Sequence, residues 1–232
     1  MRLHSRNRHD LDARVRFVAN THTYYIDESL DSAKYVSTTK LVRSMFKSFE
    51  ADEVIAKMMK SKSWGESQYY GMSPVEIKIK WENLQYSAAK SGTLMHENIE
   101  KYLNGDRFDK CSREFELFKR FQDDHKNLVP YRTEWRVFDE DSSVAGSVDI
   151  VYTNSESPGD YVIVDWKRSK AIKTENKWQS GVTEKCSKHL PDCNFSHYSL
   201  QLATYKYILQ KNYGIKISET LIVILHPSQL SY

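Results

Sequence analysis

Asp149, Asp165 and Lys167 are the residues whose types and spacing point most directly to chemistry. They fall within one stretch, GSVDIVYTNSESPGDYVIVDWK, from Gly146 to Lys167. SVDIVY and YVIVDW are β-branched and aromatic runs, and SESPGD between them is a turn cluster, so the stretch reads as a β-hairpin. Strand side chains alternate faces. Tyr161, Ile163, Asp165 and Lys167 therefore share one face, Val162, Val164 and Trp166 the other, and Ser147, Asp149 and Val151 share a face of the first run. Such a hairpin can place Asp149 beside Asp165 and Lys167. Neighbouring carboxylates repel, and burying them is costly unless something compensates. A divalent cation is the usual compensation, and hard oxygen ligands suit Mg²⁺ or Mn²⁺. Lys167 could then hold or deprotonate a water, or neutralise charge building on a phosphate. The plain alternative is an ion pair at a strand end, since D-x-K is common by chance. It is weakened by the apolar strand leading into the pair and by the second acid in the partner run.

Other residues could complete such a site. His96 lies at the edge of a helical apolar stripe made by Met95, Ile99, Tyr102 and Leu103; it is either a satisfied core histidine or a neutral imidazole ligand. Glu100, one turn on, could orient that ring or be a solvated acid. Glu134, alternating with Arg136 and Phe138 on the preceding strand, is either an extra acid at the metal site or an edge ion-pair partner. Gln201 and Tyr205 share a helix face, which either packs on the sheet or lines a groove and supports Lys167. Arg168, Lys170 and Lys173 follow directly after Lys167. Basic residues there suit a phosphate backbone, although a solvated loop shows the same letters. Cys186, His189, Cys193 and His197 offer four zinc donors within twelve residues. Their spacing matches no paired or finger pattern, so structural zinc is not expected.

The elements that must position these residues are legible as well. Residues 1 to about 12 read as a loose basic lead-in. RVRFVAN and TYYIDE form a hairpin turning near Asn20, and KYVST is a short extended piece. TTKLVRSMFKSF and ADEVIAKMMKSK have helical spacing. Ser73-Pro74 opens a long helical region that Asn104-Gly105 closes, with a break expected at Ser91-Gly92. A helix carrying Phe115, Leu117, Phe118 and Phe121 follows, stopped by Pro130. RTEWRVFDED adds a strand to the hairpin. After an irregular segment come a helix over HYSLQLATYKYILQKNYG and a final strand, ETLIVILH. Helices, three strands, a helix and a strand make an α/β sandwich with a mixed central sheet. Residues 1–90 are expected as an N-terminal hairpin and helical region packed on a core of residues 91–232.

Composition bounds the rest. At 232 residues and 40% apolar content the chain can build one domain's core. A net charge of +3 means that nucleic-acid contact must come from local clusters. No apolar run is long enough for a membrane span, and the polar N-terminus lacks a signal core. Three cysteines fit a reducing compartment. A soluble, intracellular protein is expected.

Taken in order, His96 after Gly92-Thr93, Glu134, Gly146-x-x-Asp149, Asp165-x-Lys167 and Gln201-x-x-x-Tyr205 resemble the RecB-like branch of the PD-(D/E)XK nuclease superfamily, which includes lambda-type exonucleases and CRISPR-associated relatives. The resemblance covers roughly Gly92 to His226. HLPDCNFSHYSLQLATYKYIL and the late LHP are also similar to nucleases encoded by large DNA viruses. The resemblance implies a restriction-endonuclease-like mixed sheet flanked by helices. It implies His96, Asp149, Asp165 and the Trp166 backbone carbonyl as ligands of Mg²⁺ or Mn²⁺, with Lys167 at the attacking water. Gln201 and Tyr205 would support the site, with Glu100 and Glu134 as accessory candidates and Arg168, Lys170 and Lys173 against DNA. The implied activity is a metal-dependent deoxyribonuclease, most directly an exonuclease on ends or single strands, in repair or recombination. A structure-dependent endonuclease and a non-catalytic binding module are the alternatives. Some relatives hold a four-cysteine iron–sulfur cluster; Cys111, Cys186 and Cys193 do not supply one, and none is expected. No P-loop pattern is present, so a helicase or recombination partner would act in trans.

Overall fold

The β-branched runs and amphipathic stretches take up the expected α/β arrangement in the computed structural model of the chain, which describes residues 1–27, 35–109, 112–177 and 179–232. In chain order the elements are α1 (Leu3–Arg6), β1 (Val15–Val18), β2 (Thr23–Ile26), β3 (Val36–Ser37), α2 (Thr38–Ser44), α3 (Ala51–Met59), α4 (Pro74–Leu103), α5 (Arg113–Asp124), β4 (Leu128–Asp139), β5 (Val144–Asn154), β6 (Asp160–Lys167), α6 (Asn194–Asn212) and β7 (Lys216–Ile224). Strands β3 to β7 form a mixed five-stranded sheet with β5 at its centre. β4 runs antiparallel along one edge of β5. The other edge is shared: β3 pairs in parallel with Val144 and Ala145, and β6 pairs antiparallel with Ile150 to Thr153. The sheet therefore forks at Gly146 to Asp149. β7 lies parallel to β6 beyond.

Strand alternation sorts the core into two layers. Ile150, Tyr152, Val162, Val164 and Trp166 face α4 and α5, where Met95, Ile99, Phe118 and Phe121 pack on them. Val151 and Ile163 face the opposite way, onto Leu202, Tyr205, Ile208 and Leu209 of α6. A third cluster joins the β1–β2 hairpin to the sheet through Val15, Tyr24, Ile26, Phe138 and Ala145. Among the described residues no helix is long and apolar enough to cross a membrane.

Three local expectations need correction. The first residues are not a loose lead-in: Leu3 is buried, its amide donates to Asn104 Oδ1, and the Asn7 amide group donates to the Tyr131 carbonyl. The long helix is not broken at Ser91-Gly92 but runs unbroken for 30 residues from a Ser73–Glu76 capping box. One interior glycine costs only about 1 kcal/mol, too little to divide a helix anchored at both ends. Pro130 does not end α5, which stops at Asp124; it sits inside β4 at a register irregularity, a place where a residue without an N–H is tolerated.

Candidate metal centre

The fork in the sheet delivers the two acids of the hairpin together. Asp149 and Asp165 each lie one residue beyond the last β5–β6 pair, Ile150 with Val164. Where the ladder ends, the Asp149 side chain takes over: its Oδ2 accepts the Trp166 amide at 2.9 Å. Asp165 is 1% exposed. Lys167 Nζ lies 2.7 Å from Asp165 Oδ2 as an ion pair, yet neither Asp165 oxygen accepts a well-angled hydrogen bond. Burial and the neighbouring Asp149 charge push the Asp165 carboxyl above the usual carboxylate range. Burial alone would lower the Lys167 ammonium, but Asp165 and Asp149 outweigh it and keep the lysine protonated.

α4 supplies His96 from the other side of the fork. Its Nδ1 is 3.5 Å from Asp149 Oδ2 and 4.0 Å from Glu134 Oε1. One donor atom from each of His96, Glu134 and Asp149 lies within 4.8 Å of the others. Glu134 reaches this cluster from β4, on the groove-lining side that it shares with Arg136, and its backbone is left-handed, φ 44°. Ser147 Oγ donates to Glu134 Oε2 at 2.9 Å. Burial, together with Asp149, raises the Glu134 carboxyl above its ordinary range, and the Ser147 bond only partly offsets this. One imidazole and two carboxylates, with a third buried carboxylate alongside, form a donor set that fits a divalent cation of the Mg²⁺ or Mn²⁺ type.

α6 closes the site from its own face. Gln201 Oε1 accepts from Lys167 Nζ at 3.4 Å, and Gln201 Nε2 donates to Tyr205 Oη at 3.4 Å. Tyr198 lies beside them, its ring centroid 4.9 Å from Lys167 Nζ. Tyr205 packs so closely on the sheet that a Cβ on Gly146 would fall 2.6 Å from its ring and 2.7 Å from Thr38 Oγ1. That contact accounts for a glycine at this position. The metal cluster, Gln201 and Tyr205 line one groove of about 590 Å³.

A profile of the PD-(D/E)XK nuclease superfamily matches residues 74–230, well over half of the chain. This chain belongs to the PD-(D/E)XK nuclease superfamily. Its members are generally phosphodiester-cleaving nucleases that use divalent metal ions, and the five-stranded mixed sheet with flanking helices is the core expected of a PD-(D/E)XK protein. A search of curated proteins finds no match.

Within this PD-(D/E)XK core, His96, Glu134, Asp149, Asp165, Lys167, Gln201 and Tyr205 come together. Among the described residues, the group within metal-ligand distance is His96, Glu134 and Asp149, with Asp165 beside it rather than in it. Glu100 lines the groove but makes no hydrogen bond to His96. Arg168 does not present a free guanidinium to the groove: its Nε donates to Glu114 on α5 at 2.8 Å. Lys170 and Lys173 are exposed. The zinc candidates have separate roles. His197 pairs with Asp192 at 2.8 Å and stacks on Phe46, Cys193 is buried at the start of α6, and Cys186 is exposed. Cys111 lies outside the described residues. Sequence reasoning missed Ser147, although its place on the Asp149 face was a usable signal. It also missed Phe17, His22 and Tyr24, which reach the groove from the β1–β2 hairpin.

Proposed function

We propose that this chain is a Mg²⁺- or Mn²⁺-dependent deoxyribonuclease of the RecB-like branch, acting as an exonuclease on DNA ends or single strands. The observation that carries this reading is the convergence of His96, Glu134 and Asp149 beside the buried Asp165–Lys167 pair, at the fork of the sheet. His96, Glu134 and Asp149 would hold the cation, and Asp165 and the Trp166 carbonyl would be its further oxygen donors. The cation supplies a Lewis acid for the phosphate and lowers the pKa of a water that it carries.

The chain's own residues do the rest. Lys167, held protonated by the acids, faces the negative charge that builds on the phosphate oxygens, which favours charge neutralisation over a general-base role. Gln201 fixes the Lys167 ammonium and is itself steadied by Tyr205. Ser147 orients Glu134. Glu100 is an accessory acid along the groove. Lys170 and Lys173 receive the phosphate backbone leaving the site, whereas Arg168 chiefly anchors the end of β6 to α5. The intact acid set and Lys167 argue against a non-catalytic module.

The test is digestion of end-labelled linear DNA and closed circular DNA with Mn²⁺, comparing wild type with Asp165→Asn. Cutting of linear DNA alone, abolished by the substitution, is the expected result. Cutting of the circle assigns an endonuclease instead, and equal activity of the variant refutes the site.

A further inference from the structure

The groove holding the metal cluster has a second wall that the matched family region does not contain. The β1–β2 hairpin, residues 15–26, lies outside the matched residues 74–230. Register pairs Val15 with Ile26 and Phe17 with Tyr24, so all four share one face. The inner end of that face, Val15, Tyr24 and Ile26, is buried on Phe138 and Ala145. Towards the turn the cover is incomplete: Phe17 packs on the same cluster but stays half-buried, His22 is exposed, and both line the same groove as His96, Glu134 and Asp149. Their rings meet edge to face at 5.1 Å, and Tyr24 backs Phe17 at 4.6 Å. His22 sits at the hairpin turn in the left-handed region, φ 50°. Arg136, exposed on β4, completes the wall with its guanidinium 5.9 Å from the Phe17 ring.

The geometry points to a base-stacking platform: Phe17 and His22 hold an unstacked nucleobase of a single strand next to the phosphate being cut, with Arg136 against the neighbouring phosphate. This inference rests on the nuclease reading and adds its substrate class. Aromatic faces bind any base through stacking but require that base to be out of a duplex, while a nearby cation tracks the backbone. A groove lined with acids needs such a cation, because the acids repel a polyanion, and Arg136 stands two residues from Glu134 on β4, towards the hairpin. The platform therefore selects single strands and frayed ends over continuous duplex.

The test uses the full chain in chelator, where binding is read apart from cleavage. Short oligothymidylates carrying 2-aminopurine at successive positions are titrated by fluorescence, against a hairpin duplex of the same length. Wild type should quench 2-aminopurine at one position. His22→Ala and Phe17→Leu should lose that quench and bind the single strand about tenfold more weakly, the scale of one lost stacking contact, with little change for duplex. His22 is exposed, so its variant should melt like wild type and keep the result interpretable if Phe17→Leu unfolds. Unchanged quench and affinity in folded His22→Ala overturn the platform even if the wild type cuts DNA. A quenching wild type that cuts nothing with Mn²⁺ keeps the platform and refutes the nuclease reading, and a wild type that binds no oligonucleotide overturns both.

Discussion

At the residue scale, the charges of the centre predict opposite stability effects for two substitutions that should both end cleavage. Asp165 and Asp149 share one half-buried ammonium, that of Lys167, and Glu134 adds a further acid beside Asp149. Asp165→Asn removes one of the crowded acids and leaves Lys167 with Asp149 as its counter-charge. In chelator this variant should melt no lower than wild type, while its Mn²⁺-induced gain in melting temperature shrinks. Lys167→Ala instead leaves buried acids without their cation, a change that costs on the order of 3 kcal/mol. Its melting temperature should fall in chelator and recover with Mn²⁺. Differential scanning fluorimetry with and without the ion checks both. If the two variants shift in the same direction in chelator, the charge count of the site is wrong. The hairpin acids and Lys167 were legible because period-two alternation survives in β5 and β6. Glu134 was legible as a candidate acid from the same alternation, which sets it with Arg136 on the face that lines the groove, but its left-handed φ leaves no periodic signature.

At the element scale, the site depends on how closely α6 approaches β5. Gly146 is the point of contact, with Tyr205 and Thr38 both inside the space that a methyl group would fill. The Thr38 hydroxyl also donates to the Ala145 carbonyl, so α2 cannot simply withdraw. Gly146→Ala should therefore cost about 1–3 kcal/mol through overpacking and push Tyr205 away from Gln201. Lowered thermal stability together with a loss of cleavage larger than that of Tyr205→Phe is the expected outcome. A fully active, fully stable Gly146→Ala would show that α6 has slack. The helices and strands themselves were readable from periodicity and caps. The uninterrupted α4, and Pro130 inside a strand, were not, because both depend on tertiary anchoring that outweighs local punctuation. The same holds for the hairpin: its existence was legible, but which end of its apolar face meets Phe138 and which enters the groove is decided by docking.

At the scale of the whole molecule, the titrating groups fall into two sets that work against each other across pH. Asp12 bridges the N-terminal segment to β4, accepting from Arg132 and from the Trp135 indole. Asp139 joins β4 to α6 through Lys211 and Asn212. Burial alone would raise both carboxyls, but these donors outweigh it and hold both below the usual range. A depressed acid stabilises the fold fully above its ordinary pKa of about 4 and loses that contribution as pH falls through the lower folded value. Asp165 and Glu134 are raised instead. A raised acid favours the folded state below the ordinary pKa, and that advantage is lost as pH climbs through the folded value. In chelator, stability should thus decline on both sides of a mildly acidic maximum. The acid-side loss belongs to the clamps and the alkaline-side loss to the metal centre. A divalent ion binds only the ionised centre and must expel its protons, so Mn²⁺ should abolish the alkaline-side decline and leave the acid side untouched. Asp12→Asn should act on the other side, reducing the acid-side loss to the share that Asp139 carries and costing on the order of 3 kcal/mol near neutrality, because Arg132 stays buried without its charge partner. Denaturant unfolding of both proteins from acid to mildly alkaline pH, with and without Mn²⁺, separates the two sets. A Mn²⁺ effect that does not grow with pH would mean that the acids at the fork are not what the ion displaces protons from.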